Sequence, residues 1–246
     1  IVAADLNGDG KPDFAVTAFA NVNAGLNVFL NNGDGTFAPK VFYGTGTGPS
    51  WVSAADLDGD GKPDLAVANK SSDSVSVLHN NGDGTFASKV DYPVGWHPTS
   101  IAIADVNGDG KLDLAVADDQ SNRVEVILGK GDGTFLWRVV YAEAGSPSGI
   151  VATDLNGDGK ADLAVVRASL ASVDVRFNDG SGALGPGTGY GMTMTPGSIV
   201  APDLDGNGRP DLVVLTSSAT VSVRLDAGNG TFGPKADYPT GANPKS

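Results

Sequence analysis

Cysteine is absent from the 246-residue chain, which removes disulfides, zinc–thiolate centres and thiol nucleophiles together. Histidine is nearly absent too, with only His79 and His97. Basic side chains are scarce: 16 Lys and Arg stand against 29 Asp and Glu, a formal net charge of −13. Such a chain is repelled by phosphate backbones and anionic lipid, which disfavours nucleic-acid and peripheral-membrane roles. No stretch approaches the roughly 18 apolar residues of a membrane-spanning helix. No segment shows a 3.6-residue hydrophobic period, which excludes a helical bundle. Glycine, in contrast, is plentiful. Its 35 copies predict frequent turns, and the 40% of hydrophobic residues suffice for a packed interior.

The order within this composition is a repeat. Asp5-Leu6-Asn7-Gly8-Asp9-Gly10-Lys11-Pro12-Asp13 returns at Asp56–Asp64, Asp105–Asp113, Asp154–Asp162 and Asp203–Asp211, at spacings of 51, 49, 49 and 49 residues. A second element keeps step: Asn31-Asn32-Gly33-Asp34-Gly35-Thr36-Phe37 recurs as Asn80–Phe86 and, more loosely, as Gly129–Phe135, Asn178–Leu184 and Asp226–Phe232. All five tyrosines sit six residues after that Phe or Leu. Five copies of one unit account for the chain.

Each unit reads as four short strands, represented by Ser100–Ala104, Leu65–Ala68, Val124–Leu128 and Phe86–Tyr92. Strands of four to eight residues between Gly/Asn/Asp turns indicate an all-β protein, and four of them per unit of this size match a propeller blade. The expected fold is one domain, 1–246: a five-bladed β-propeller of four-stranded antiparallel blades near 1–48, 49–97, 98–146, 147–195 and 196–246. Seven steps separate Pro98 from Asp105, and joining Pro244-Lys245-Ser246 to Ile1-Val2-Ala3-Ala4 reaches Asp5 in the same seven. That phase predicts a ring closed tail to head.

The Asp-rich loops have the donor pattern of a hard cation. Ca²⁺ takes six to eight oxygens, and alternate residues of a tight loop can aim carboxylates and amide oxygens inward around a glycine at the sixth position. The side-chain ligands are Asp5, Asn7, Asp9 and Asp13; Asp56, Asp58, Asp60 and Asp64; Asp105, Asn107, Asp109 and Asp113; Asp154, Asn156, Asp158 and Asp162; Asp203, Asp205, Asn207 and Asp211. Lys11, Lys62, Lys111, Lys160 and Arg209 each add a backbone carbonyl at the seventh position. Strands flank these loops, and Val16, Val67 and Val116 stand where an EF-hand places its bidentate Glu, so the helix-opening type of calcium sensor is excluded. Sixteen of the 29 acidic groups lie in the loops, and five divalent ions would bring the formal charge from −13 to −3. The expected cofactor is therefore structural Ca²⁺, about five ions.

Units pairing a D-x-[DN]-x-[DN]-G-x-x-D loop with an N-G-D-G-T-F turn resemble the FG-GAP/VCBS repeats of bacterial secreted proteins, relatives of the integrin α-chain propeller and of fungal and bacterial propeller lectins. The resemblance covers essentially all 246 residues. It implies a β-propeller with Ca²⁺ in the loop joining strands one and two, secreted or at the cell surface. Such propellers commonly have seven blades, so these five also read as a portion of a larger ring. The same architecture carries lectins, adhesins and domains attached to lyases, so it leaves the activity open.

In an up-and-down blade the 1–2 and 3–4 connections share one face, and the 2–3 and 4–1 connections the other. The second face carries the segments that differ between units, where recognition is expected. Trp51, Trp96 and His97 from the 4–1 connections, with Lys70, Asp118 and Asp119 from the 2–3 connections, form a candidate ligand site, since an indole offers an apolar face and a polar edge to a sugar ring. The competing reading has both tryptophans plugging the centre or packing between blades. His79 occupies the slot of Leu30, Leu128, Phe177 and Leu225 and reads as a packing residue; Trp137, in the slot of Pro39, Ser88, Pro186 and Pro234, reads as an edge shield. Asn69-Lys70-Ser71 and Asn229-Gly230-Thr231 fit the N-glycosylation pattern. No Ser elbow or phosphate-cradling loop is present. The expected function is thus non-catalytic adhesion or recognition of carbohydrate or a protein partner, with a structural scaffold and a polysaccharide-lyase-like enzyme as the alternatives.

Overall fold

Strands here are short because each apolar run is cut by a glycine-rich loop, and the second strands of the middle blades are apolar along most of their length because both faces are covered. In blade two, Leu65 and Val67 pack toward blade one while the alternating Ala66 and Ala68 pack toward blade three. The computed structural model describes residues 1–19, 24–217 and 219–241, with Trp137 as backbone only. Five four-stranded antiparallel sheets, each a simple meander in chain order, make a five-bladed β-propeller. Blade two shows the pattern: Pro49–Ala55, Asp64–Asn69, Ser74–Leu78 and Val90–Pro93. Blade five adds a two-stranded ribbon, Asp226–Gly228 with Thr231–Phe232.

The first strands of all five blades, Val2–Ala4, Pro49–Ala55, Pro98–Ala104, Pro147–Thr153 and Pro196–Val200, surround a central cavity of about 400 Å³. Four apolar cores join consecutive blades. Each combines the residue after the first loop aspartate of one blade (Leu6, Leu57, Val106 or Leu155) with the Phe or Leu that ends the next blade's turn. Burying one such leucine contributes roughly 1.5–3 kcal/mol. Tyrosine meets that phenylalanine edge-on across three of these seams, with ring centroids 5.3 Å apart in Tyr43–Phe86, Tyr92–Phe135 and Tyr190–Phe232. Among the described residues no fifth core joins blade five to blade one. The tail Ala242–Ser246, and with it the tail-to-head join read from the sequence, lies outside the described residues, as do residues 20–23 of the longer connection in blade one.

The fourth strand departs from expectation. It begins four residues after Phe86, at Val90, and Phe86 itself makes only an isolated bridge to Asn80. In blades one, four and five proline at 39, 186 and 234 removes a ladder donor just there; blade two, with Ser88, has the same gap. Blade three has Trp137 in that slot, and its fourth strand runs unbroken from Phe135 to Ala142. Whether the Trp137 side chain shields this edge lies outside the described residues.

Candidate functional site

In each Asp-rich loop the first aspartate folds back on its own backbone. Asp5 Oδ1 accepts the N–H groups of Gly8 (2.8 Å) and Asp9 (3.1 Å), and Oδ2 accepts that of Gly10 (2.8 Å). Asp56, Asp105, Asp154 and Asp203 repeat the pattern. The fold-back requires left-handed backbone at the two loop glycines, as at Gly59 (φ 79°) and Gly61 (φ 83°), where a side chain would be strained.

The ninth position is different in kind. Asp64 is fully buried, and its carboxylate bridges two segments by accepting from Leu57 N (3.1 Å) and from Asn80 N (2.8 Å). Asp13, Asp113, Asp162 and Asp211 do the same. Burial pushes the Asp64, Asp113 and Asp162 carboxyls up from the usual range. The exposed fifth-position carboxylates Asp9 and Asp60 move the other way: the Lys11 and Lys62 ammonium groups hydrogen-bond them and hold them below that range. In loops two and five the carboxylate oxygens of Asp56, Asp58 and Asp60, and of Asp203, Asp205 and Asp211, lie within 4.8 Å of one another. Such a cluster can hold a divalent metal, and its all-oxygen donors suit a hard cation.

The loops also join blades. Gly84 N in the turn of blade two donates to Leu6 O in the loop of blade one (3.1 Å), and Gly133 N donates to Leu57 O (3.2 Å) across the next seam. Asn80 Nδ2 reaches Leu6 O, and Asn178 Nδ2 reaches Val106 O. Loop and turn therefore share a face, each turn resting on the preceding blade's loop. His79 does more than its slot suggests. Its Nδ1 lies 3.4 Å from Asp64 Oδ2 and 3.8 Å from Asp58 Oδ2, while its ring packs against Gly133. Slot comparison hid this because the equivalent residues are all apolar.

On the opposite face the structure brings together Lys70, Trp96, His97 and Asp119. His97 Nδ1 bonds Asp119 Oδ1 at 2.7 Å, and Lys70 Nζ stands 3.5 Å from Asp119 Oδ2. His97 adopts a left-handed backbone (φ 67°) and donates its N–H to Asp73 Oδ1 (2.9 Å). Trp96 N donates to Ser121 Oγ, and the indole is 67% exposed. Sequence reasoning puts Asp73 near this face without assigning it to the site, and missed Ser121; the signal for the bend was Gly48, the blade-one counterpart of His97, also left-handed.

Three sequence assignments are corrected. Trp51 lies within the first strand of blade two rather than in a connection; its Nε1 donates to Ser53 Oγ (3.0 Å), and the ring packs on the core between blades two and three beside the central cavity. Asp118 points inward and is fully buried beside Arg123 and Glu125. Burial, with the Glu125 charge adding, pushes its carboxyl up to about 8. Asn69 is also buried, donating to Ser76 Oγ (2.8 Å), and is no glycan acceptor.

Comparison with known proteins follows this geometry. A profile described as FG-GAP-like repeat matches residues 5–67, 56–116, 105–165 and 156–214. Comparison with curated protein sequences gives no match. Among solved structures, an Agrocybe aegerita lectin studied for specific recognition of non-reducing terminal N-acetylglucosamine is 27% identical, with a TM-score of 0.67. The alignment takes in 96% of this chain and 65% of the lectin, so this chain spans just under two thirds of that length. BBS1N, solved in complex with ARL6DN, is 15% identical with a TM-score of 0.62 over 95% of this chain and 64% of its own. A proposed 6-phosphogluconolactonase of Bacteroides fragilis is 18% identical with a TM-score of 0.72 over 96% of this chain and 69% of its own. The last two likenesses concern the fold alone.

Proposed function

The chain belongs to the FG-GAP-like repeat family, and from that membership we propose that it is a non-catalytic, calcium-stabilised recognition module acting outside the cell or at its surface. One observation carries the reading. An exposed indole, Trp96, stands beside a polar trio in which His97 hydrogen-bonds Asp119 and Lys70 forms an ion pair with it, on the face away from the Asp-rich loops. A flat apolar surface flanked by a few fixed donors and acceptors suits a sugar, whose ring face stacks while its hydroxyls are hydrogen-bonded.

Carbohydrate is therefore the ligand class we favour. The likeness to a lectin that recognises terminal N-acetylglucosamine makes that sugar the first to test. Trp51 and Asp118 take no direct part in this site. A protein partner is the second reading, since an exposed indole beside charged groups also suits a protein interface.

Calcium is the ion we assign to the loops, about five in all. The first, third, fifth and ninth side chains of each loop, with the seventh carbonyl, would hold it. When bound, the ion supplies positive charge among carboxylates that otherwise repel one another. Asp64 and its counterparts keep their backbone partners and position the loop. Glycan-array binding in millimolar calcium, wild type against Trp96→Ala, tests the proposal: signal on one sugar class that disappears in the variant is expected. An array silent for both, with capture of a defined protein instead, would move the reading to the second.

A further inference from the structure

Blade two departs from its siblings in two positions at once. The slot just after the third strand holds Leu30, Leu128, Phe177 and Leu225 in the other blades, and His79 in blade two. The third loop position is a carboxylate in only two loops, as Asp58 and Asp205, and an amide in the rest, as Asn7, Asn107 and Asn156. Blade two alone therefore sets an imidazole beside a loop with carboxylates at both its third and ninth positions.

The fold brings these three side chains to one point. His79 Nδ1 lies 3.4 Å from Asp64 Oδ2 and 3.8 Å from Asp58 Oδ2. One donor atom from each residue falls within 4.8 Å of the other two. Nδ1 is shut off from solvent, yet it has no hydrogen-bond partner among the described residues. A buried polar atom left unpaired costs about 1–3 kcal/mol. Its aim is set from outside the loop. The ring packs against Gly133 in the turn of blade three, where a Cβ would collide with it, and Gly133 N is tied to Leu57 O at 3.2 Å. Other loop oxygens are engaged elsewhere: Asp58 Oδ1 accepts from Asp60 N (3.1 Å), Asp64 Oδ1 from Asn80 N (2.8 Å), and Asp60 Oδ2 from Lys62 Nζ (2.7 Å). Asp64 Oδ2 accepts from Leu57 N and keeps a second lone pair.

One imidazole nitrogen with two carboxylate oxygens suits a borderline transition ion, whereas calcium takes six to eight oxygens. Tetrahedral zinc ligands at about 2.0–2.2 Å stand roughly 3.3–3.6 Å from one another. The separation from Asp64 falls in that range, and the one from Asp58 is slightly wider. We propose that blade two carries a zinc-type site formed by His79 Nδ1, Asp58 Oδ2 and Asp64 Oδ2, with water in the fourth position. The ion would give Nδ1 the partner it lacks, neutralise two carboxylates and fasten the end of the third strand to the loop. Such a site does not depend on calcium in the other loops. Asp58 and Asp64 would serve either ion, so zinc displaces calcium from loop two alone.

The chain is stripped with chelator, dialysed and titrated with Zn²⁺ in calcium-free buffer by calorimetry, and with Co²⁺ by visible absorption. One tight zinc per chain is expected, together with the intense visible band of tetrahedral cobalt. Two variants borrow residues that sibling blades already carry, His79→Leu and Asp58→Asn. Each should weaken the tight site by at least about tenfold, the least lost when even an outer partner of a metal ligand is removed. His79→Leu should also abolish the cobalt band, while stabilisation by calcium, read separately by thermal melting, stays nearly as in wild type. Equal zinc binding by wild type and His79→Leu would overturn the inference. So would the absence of zinc uptake, which leaves His79 as an ion-pair partner of Asp64. Tight zinc binding in a chain whose melting ignores calcium would uphold this site and refute the calcium assignment by itself.

Discussion

Removing calcium separates two kinds of aspartate within a single loop. At calcium about tenfold above the dissociation constant, each site adds about 1.4 kcal/mol, and five sites about 7 kcal/mol. That sum is comparable with the roughly 5–15 kcal/mol net stability of a whole domain. For a chain of this length about 2–4 °C follows each kcal/mol, so EDTA should lower the melting temperature by about 14–28 °C. Asp60 is exposed and hydrogen-bonds only within its own loop. Asp60→Ala should therefore leave the EDTA melting temperature unchanged and reduce the gain on adding calcium. Asp64 is buried between Leu57 N and Asn80 N. Asp64→Ala strands two buried donors at about 1–3 kcal/mol each, a cost of about 2–6 kcal/mol that persists without the ion. Calorimetry of the three proteins in calcium and in EDTA reads both effects. A melting temperature indifferent to EDTA would refute calcium as a structural element, and equal behaviour of the two variants in EDTA would refute the division of roles.

Other outcomes follow from the same geometry. Asp118 favours its protonated form in the folded state, so stability from this group is full near pH 4 and is lost as pH rises toward about 8; Asp118→Asn should flatten that decline in urea titrations at pH 5, 7 and 9. Trp96→Ala should abolish ligand binding with no change in melting temperature, because the indole is exposed. Leu57→Ala opens a void in the core between blades two and three and should cost about 2–5 kcal/mol by chemical denaturation. Gly129→Ala should be worse tolerated than most surface changes, since its Cβ would fall 2.1 Å from Leu112 O, and a thermal shift measures it.

Much of this molecule is written in its periodicity. The spacing of Asp5, Asp56, Asp105, Asp154 and Asp203 fixes the number of units, and the alternation in Leu65-Ala66-Val67-Ala68 reflects a strand covered on both sides. Adjacent residues of an extended strand point oppositely, which is why Asp118 goes inward while Asp119 reaches His97. The direction of Trp51 was legible only by counting: five residues before its loop aspartate, it shares a slot with Ser100, Gly149 and Ser198 of the innermost strands. Contacts between blades were hidden because they depend on which neighbour a face meets. Leu204 looks like Leu57 in sequence, yet it is half-exposed where Leu57 is buried.

The hydrogen bond from each turn to the loop before it gives the ring a direction. Gly84 leans on blade one and Gly133 on blade two, so a blade's Asp-rich loop serves as the doorstep of its successor. A change in the loop of blade two would then be felt first in the turn of blade three. Damage would spread toward the C-terminal neighbour, and the last blade's loop, on which no described turn rests, is the one whose loss would disturb the fewest others.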